Sequence, residues 1–412
     1  MPKGSLGNAE QFETIKCPLC ACNEYGTVYQ CYQETGYTLG RIQTSFVVCN
    51  DCGFMYQNPR PKVELLTRHY TENEEASGSI YHDVSPDSSH NKKQNARIAF
   101  YKKYFGEINK GSLLEIGCST GGFLLNLDLG GWDLVGLEPS IKATSQARAN
   151  GLEVICASLE QSDLPGKSYD AICCFSALEH FHDINIALDT MTRLLKPGGG
   201  LCVEVPDTMK PTPQIAEFFT FEHMSHFTKD TLALFLKGYG FDDIVFDDTV
   251  SDARLRIFTR KDGAVKPLCK AGIAAIDKNI MGVARQKLIS EINKYTKGKR
   301  DIEKHIKERL ASVILRWNRQ GKKVAIYGAG AHTRYLLNLF DLSENVNAIL
   351  DSDPKKHGKH FLRWTIFDES LLGSGQIDAV IISSKAFEDE IYERISKYSI
   401  TQGVEIVRCY AQ

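Results

Sequence analysis

The sequence predicts an α/β chain of two doubly wound units behind a small cysteine-bearing head. A strand, a glycine turn and a helix start follow one another at Ser112 to Phe123 and again at Lys323 to Phe340. In each unit a second strand then ends in a carboxylate, Glu138 in one and Asp351 in the other. Strands alternate with helices in both, which is the pattern of a parallel sheet. Ahead of them stand two knuckle-like pairs, Cys17-x-x-Cys20 and Cys49-x-x-Cys52.

The 412 residues are enough for several domains with ample core. Hydrophobic content of 42% and charged content of 24% are those of a globular protein. A formal net charge of −2 gives no electrostatic reason to expect nucleic acid or an anionic membrane as partner. No stretch reaches the roughly twenty apolar residues of a membrane span. The opening Met-Pro-Lys-Gly-Ser lacks the apolar core of a signal peptide. The expectation is a cytoplasmic protein, monomer or homodimer, acting on a small molecule.

In the head, each Cys-x-x-Cys pair suits a tight knuckle, and two knuckles supply four thiolates to one tetrahedral zinc. Cys17, Cys20, Cys49 and Cys52 are the expected ligands, with Cys22 and Cys31 as spare thiols. Four protein ligands leave no open position, so the role would be structural. Tyr-rich alternation from Tyr25 to Tyr32 predicts strands, and a hairpin would fill the gap between the pairs. The head is placed at 1–70. The polar segment Glu72 to Asn91 reads as a mobile loop, with Tyr81 and His82 able to touch a ligand.

The first Rossmann-like unit is placed at 71–262. Ser112 to Ile116 is a buried strand, and Gly117, Gly121 and Gly122 let the following turn approach a ligand closely. Both a dinucleotide and S-adenosylmethionine fit such a turn. A dinucleotide site wants G-x-G-x-x-G for its pyrophosphate. Here Glu115 stands in the strand, two residues before Gly117, where a carboxylate suits a ligand carrying an amino group. Leu134 to Glu138 is the second strand, and an acid at its end grips ribose hydroxyls. Further strands are read at Glu153 to Ala157, Tyr169 to Ser176 and Leu201 to Val205. A helix is read at Ile186 to Leu195, and a turn at Pro197 to Gly200. Cys173, Cys174 and Cys202 fall in strands and read as reduced core residues.

Residues 263–320 carry apolar positions at helical spacing, among them Ile302, Ile306, Leu310 and Val313. They read as one or two long amphipathic helices bridging the two units. The second Rossmann-like unit is placed at 321–412. Ile326 stands where the first unit has its strand acid, so a second methyl-donor site is not expected there.

The stretch Leu113 to Phe123, Glu138, Asp170 to His180 and Leu194 to Gly200 together resemble the ordered motifs of class I methyltransferases. The resemblance implies that Gly117 and Gly121 line the methionine part of S-adenosylmethionine. It also implies that Glu138 and Pro139 meet the ribose, Ser158 and Leu159 the adenine, and Ser176 the donor pocket. With the cysteine head and the C-terminal unit, the whole chain is similar to the zinc-containing sugar C-methyltransferases that act on nucleotide-linked deoxysugars. That likeness implies structural zinc, a nucleotide bound between core and C-terminal unit, and methylation of a carbanion beside a keto group. The family motif Tyr-His-Glu-His-x-Ser-Tyr aligns with Thr220 to His226, so its Glu-His pair falls on Glu222 and His223.

His223 is the expected general base, because an imidazole titrates near neutrality. Glu222 beside it would orient the ring, and His226 is the neighbouring candidate. His180 and His182 are expected to line the donor pocket. The same base would serve an O- or N-methyltransferase of another small polar metabolite. A binding protein that keeps the fold without turnover is a further alternative. The least favoured is an oxidoreductase using the C-terminal glycine turn.

Overall fold

A computed structural model describes residues 9–34, 41–72, 89–106, 110–127, 130–213, 218–250, 253–261, 278–340, 346–384 and 387–410. Tyr81, His82 and most of the expected loop lie outside them. Ser89 to Asn91, at the loop's end, already belong to the helix Ser89–Phe105. The chain divides into two units, Met1–Pro211 with Phe219–Asn293, and Thr212–Phe218 with Lys294–Gln412. Among the described residues no helix is long and apolar enough to cross a membrane.

The first unit holds a seven-stranded sheet. Its central strands are Leu195–Pro206, Tyr169–Phe175, Gly111–Ile116, Trp132–Leu137 and Glu153–Ile155, paired in that order and parallel. Arg254–Arg260 pairs antiparallel with Leu195–Pro206, and Val245–Phe246 closes that edge. The chain leaves Gly111–Ile116 toward one side and returns on the other at Tyr169–Phe175. That reversal makes a crevice at the carboxyl ends of the two strands, where ligands of open α/β sheets bind.

Both faces of the sheet are covered, so its strands are apolar throughout rather than alternating. Ala171, Ile172, Cys173, Cys174 and Cys202 are all fully buried. Burial pushes the Cys173 and Cys174 thiols up, which keeps them protonated and inert, as expected of core cysteines. Pro197–Gly200, read as a turn, is instead a register irregularity inside the long strand Leu195–Pro206. The expected helix runs Ile184–Leu194, capped by Asp183, whose carboxylate accepts from the Asn185 and Ile186 N–H groups.

The head is a four-stranded sheet ordered Ser225–His226, Met55–Gln57, Arg41–Cys49, Tyr25–Glu34. The Tyr25–Glu34 and Arg41–Cys49 hairpin joins the two cysteine pairs. One edge strand, Ser225–His226, comes from far along the chain and pairs with Tyr56 and Met55. Cys17, Val47, Phe54 and Tyr56 share a hydrophobic cluster with Leu114, Ile172 and Val203 of the large sheet.

Among the described residues of the helical region there is one long helix, Lys278–Gln320. In the second unit, strands Val324–Tyr327, Val346–Leu350, Trp364–Phe367, Ala379–Ile382 and Glu405–Arg408 form a parallel sheet. His360–Phe361 is added antiparallel at one edge.

One buried ion cluster ties three distant segments of the first unit together. Glu204 is 0% exposed on its strand. Its Oε2 accepts from Arg256 Nε and Nη2 at 2.8 and 2.6 Å. Its Oε1 accepts from Arg97 Nε and Nη2 at 3.0 and 2.5 Å. Burial pushes the carboxyl up, but Arg97, Lys93 and Arg256 outweigh it and hold it down at about 2. A carboxyl depressed in the fold stabilises above its unfolded pKa and loses that contribution as pH falls through the folded one. Glu204→Gln, which strands two buried guanidinium groups, is expected to cost roughly 3–5 kcal/mol in denaturant titrations at pH 7. The gap to wild type should narrow as pH falls from 4.5 toward about 2. A gap independent of pH would separate the loss from the ion cluster.

Candidate functional site

The glycine turn sits at the carboxyl end of Gly111–Ile116. Gly117 has φ +71° and Gly121 φ +84°. A Cβ on Gly117 would stand 2.8 Å from the Ala177 Cβ, and one on Gly121 would stand 2.1 Å from Leu152 Cδ1. Both positions therefore require glycine. Between them Ser119 is also left-handed, at φ +52°. Its N–H donates to Glu138 Oε2 at 3.0 Å, while Ser140 N–H donates to Glu138 Oε1 at 2.9 Å. One carboxylate thus bridges the turn and the next helix start, Ile141–Ala149. Burial pushes Glu138 up, and these two N–H groups partly offset it.

Glu115 is only 3% exposed, and its Oε2 has no hydrogen-bond partner among the described residues. Burial pushes its carboxyl up to about 8, so the apo site holds an acid waiting for a cation. An ammonium group is the chemistry that satisfies it. Of the other expected donor contacts, Pro139 is exposed and Ser158 half-buried, while the Leu159 side chain is in the hydrophobic core.

The histidine loop is held from both sides. Gln33 in the head accepts from Phe221 N–H at 2.7 Å and donates to Phe219 C=O at 2.8 Å. Gln57 N–H donates to Met224 C=O, and Met224 N–H donates to Glu179 C=O. This brings His223 against the segment Leu178–His180, just beyond the Tyr169–Phe175 strand. The His223 and His180 rings meet edge to face, with centroids 4.7 Å apart. Ligating atoms of Glu179, His180 and His223 all lie within 4.8 Å of one another. Burial, then the neighbouring His180 and His226, pull His223 well below the ordinary histidine range. Its imidazole is neutral at pH 7 and able to accept a proton.

The charge of Glu222 acts to raise His223, as an adjoining carboxylate should, but its carboxylate is hydrogen-bonded to another ring. Glu222 Oε1 pairs with His69 Nε2 at 3.1 Å, from the helix Val63–Glu72. Burial pushes that carboxyl up, but His69 and the other histidines hold it at about 2. His226 is buried on the edge strand, against Phe46 and Phe219 at 5.0 and 5.3 Å. Burial pulls it down to about 3. The acid beside His223 is Glu179, which sequence reasoning did not single out. Its Oε2 is buried and without a partner. His182 turns away to Pro61 C=O and Glu13. The signal for Glu179 was present as a Glu-His pair following an apolar strand.

In the head, Cys17 and Cys52 Sγ atoms lie 3.5 Å apart, as do Cys20 and Cys49. All four lie within 4.8 Å of one another. Tetrahedral zinc with Zn–S bonds of about 2.3 Å puts sulfurs about 3.8 Å apart, so the donor set fits. The two knuckles match: Ala21 N–H donates to Cys17 C=O and Gly53 N–H to Cys49 C=O, both residues being left-handed. Hydrogen bonds among the four sulfurs push Cys17 and Cys52 up and Cys20 and Cys49 down. Cys22 and Cys31 stand outside the cluster, Cys22 accepting from Glu24 N–H. A cavity of about 410 Å³ lies elsewhere in this unit, lined by Gly53, Asp207, Lys229 and Arg285 among others; no donor-turn or histidine residue lines it.

In the second unit the glycine turn is internally engaged. Asp351 Oδ2 accepts from Ala329 N–H at 2.8 Å and from Lys356 Nζ at 2.9 Å. The acid that would meet a ribose is thus already paired with a cation of the same unit.

Residues 90–245 match the family model described as a methyltransferase domain, and residues 268–409 match the C-methyltransferase C-terminal domain. The ubiquinone biosynthesis O-methyltransferase of Rickettsia conorii is 24% identical over 33% of this chain and 54% of its own. That of Alkalilimnicola ehrlichii is 28% identical over 29% of this chain and 47% of its own. The chain thus spans about half the length of these relatives. A Thermotoga maritima methyltransferase structure, described as a possible histamine N-methyltransferase, is 21% identical over 42% of this chain and 96% of that one, with a TM-score of 0.32. The chain carries a class I, S-adenosylmethionine-dependent methyltransferase domain followed by a C-terminal domain of C-methyltransferase type. The residues present fit such a donor: Glu115 has a buried oxygen that an ammonium would satisfy, Gly117 and Gly121 keep the turn open, and Glu138 stands at the end of the second strand. Glu138→Ala is expected to weaken S-adenosylmethionine binding by about 1–3 kcal/mol, the worth of a hydrogen bond to a charged group. Calorimetry on the folded variant checks it.

Proposed function

We propose that this protein is an S-adenosylmethionine-dependent methyltransferase acting on a sugar, nucleotide-linked, with His223 as the general base. The observation that carries the reading is the meeting of His223, His180 and Glu179 just past the strand ends, beside the donor turn. The description of the C-terminal model supports a carbon acceptor. The same base would serve a hydroxyl, in keeping with the O-methyltransferase relatives.

When bound, S-adenosylmethionine supplies an electrophilic methyl group on a sulfonium. The chain's own residues do the rest. Glu115, Glu138 and the glycine turn hold the donor in one orientation, which removes much of the entropic barrier to transfer. The neutral His223 imidazole takes the acceptor's proton on a ring nitrogen. Glu179, when ionised, steadies the imidazolium that forms. The head positions this loop through Gln33, Gln57 and the Ser225–His226 strand, so its role in catalysis is indirect. Cys17, Cys20, Cys49 and Cys52 hold one structural zinc that keeps the head folded.

Incubation with a panel of nucleotide sugars and the donor tests the class: product mass should rise by one methyl group, and NMR of the product separates carbon from oxygen. No gain with any nucleotide sugar, in a protein that binds the donor, would overturn the sugar reading. His223→Asn should leave donor affinity near wild type and cut single-turnover transfer roughly 10²–10⁴-fold, the usual contribution of a general base. The wild-type rate should rise with pH to a plateau reached below the ordinary histidine pKa of 6.5. That limb should vanish in the variant, and a larger loss in His180→Asn would move the base there.

Metal analysis should find one zinc per chain, lost in Cys49→Ser. Because the head grips the histidine loop, zinc loss should lower the transfer rate and leave donor affinity near wild type. A metal-free wild-type protein of full activity would remove the zinc.

A further inference from the structure

Four cations gather on Glu204: Arg97, Arg254 and Arg256 hydrogen-bond it, and Lys93 is held only as an ion pair. A carboxylate offers about four lone-pair sites. Arg97 and Arg256 fill them with four N–H donors at 2.5 to 3.0 Å, and Arg254 Nη1 adds a fifth at 3.3 Å. Lys93 lies one helical turn before Arg97, on the same face of Ser89–Phe105. Its ammonium stands 3.7 Å from Glu204 Oε1, beyond hydrogen-bond distance, and remains 30% exposed.

Ser176 completes the feature. It ends the Tyr169–Phe175 strand in the left-handed region, at φ +55°. Its hydroxyl accepts from Lys93 Nζ at 3.2 Å and from Arg97 Nη2 at 2.9 Å. A serine oxygen has two lone pairs, and both are taken. The hydroxyl keeps its own proton to donate. Lys93 and Ser176 therefore present an N⁺–H and an O–H side by side at the crevice, within electrostatic reach of Glu179. Two converging donors with a surplus positive charge are the chemistry of an oxyanion receptor.

We propose that Lys93 and Ser176 form an oxyanion-binding subsite, for a carboxylate or phosphate group, at the edge of the methyl-transfer site. The anion comes from the donor's methionine carboxylate or from an acidic group of the acceptor. Burial, then Arg97, pull the free lysine down to about 8, a penalty that a bound anion removes. The assignment of the two sources rests on the function proposed above; the subsite itself rests on the donor geometry.

The test is calorimetry on the full chain with S-adenosylhomocysteine, methylthioadenosine and inorganic pyrophosphate. Methylthioadenosine keeps the nucleoside and lacks the carboxylate. If the donor supplies the anion, Lys93→Met should weaken S-adenosylhomocysteine roughly tenfold to hundredfold, as for a charged hydrogen bond, and leave methylthioadenosine unchanged. If the acceptor supplies it, pyrophosphate binding should fall instead. Lys93→Arg should restore much of either loss, and Ser176→Ala should reproduce part of it. Because Lys93 is a penalised cation in the free protein, Lys93→Met should keep or raise the melting temperature, where a structural lysine would lower it. A folded Lys93→Met protein that binds all three probes as wild type does would overturn the subsite. Lys93-dependent pyrophosphate binding without affinity for either adenosyl ligand would sustain the subsite and remove the donor reading.

Discussion

The first unit depends on a single buried carboxylate. Glu204 joins a helix before the sheet, a parallel strand and an antiparallel strand through Arg97 and Arg256. The three segments are far apart in the chain and meet at the carboxyl edge of the sheet. A carboxylate taken out of water is unstable unless both oxygens are satisfied. The helix Ser89–Phe105 packs Tyr101 and Phe105 on one face of the sheet, with Leu113, Ala171 and Cys202, and carries Lys93 and Arg97 to Ser176 at the strand end.

The four buried glutamates among the described residues of this unit are handled in different ways, and the differences mark the site. Glu204 is saturated by guanidinium groups. Glu138 is held by two backbone N–H groups, which brace the glycine turn against the following helix. Glu115 and Glu179 each keep one buried oxygen without a partner. An unpaired buried oxygen costs stability, so these two are where the fold leaves room for a ligand or a proton. Both lie where two parallel strands diverge, and both carry a carboxyl pushed up by burial.

The head serves this same place. Its hairpin, through Gln33, and its short strand, through Gln57, grip the segment Phe219–Met224. The His226 edge strand is continuous with that segment and completes the head's sheet. Four sulfurs cannot pack this closely as free thiolates, so a metal there would stabilise a head whose far side holds the histidine loop. The cysteines reach the histidine loop through packing and strand pairing.

By itself the sequence determined the local features. Apolar strands, the glycine turn, the acid two residues before it, the second-strand acid and the two Cys-x-x-Cys pairs are all short-range patterns, set by backbone sterics and residue chemistry within a few positions. The tertiary structure alone decided which charged groups face one another. Glu222 is adjacent to His223 in the chain, yet it turns to His69, because a helix from the head brings that imidazole within 3.1 Å. Glu179 and His180 lie more than forty residues before His223 and become its neighbours only because the loop is stitched to the Glu179 backbone. Glu204 is a lone charge in an apolar strand, and only its burial in the fold makes its partners matter. Which partners, and that Lys93 would be left over, followed from burial: inside a sheet a carboxylate takes the donors whose geometry fills its lone pairs, and the remaining cation faces solvent.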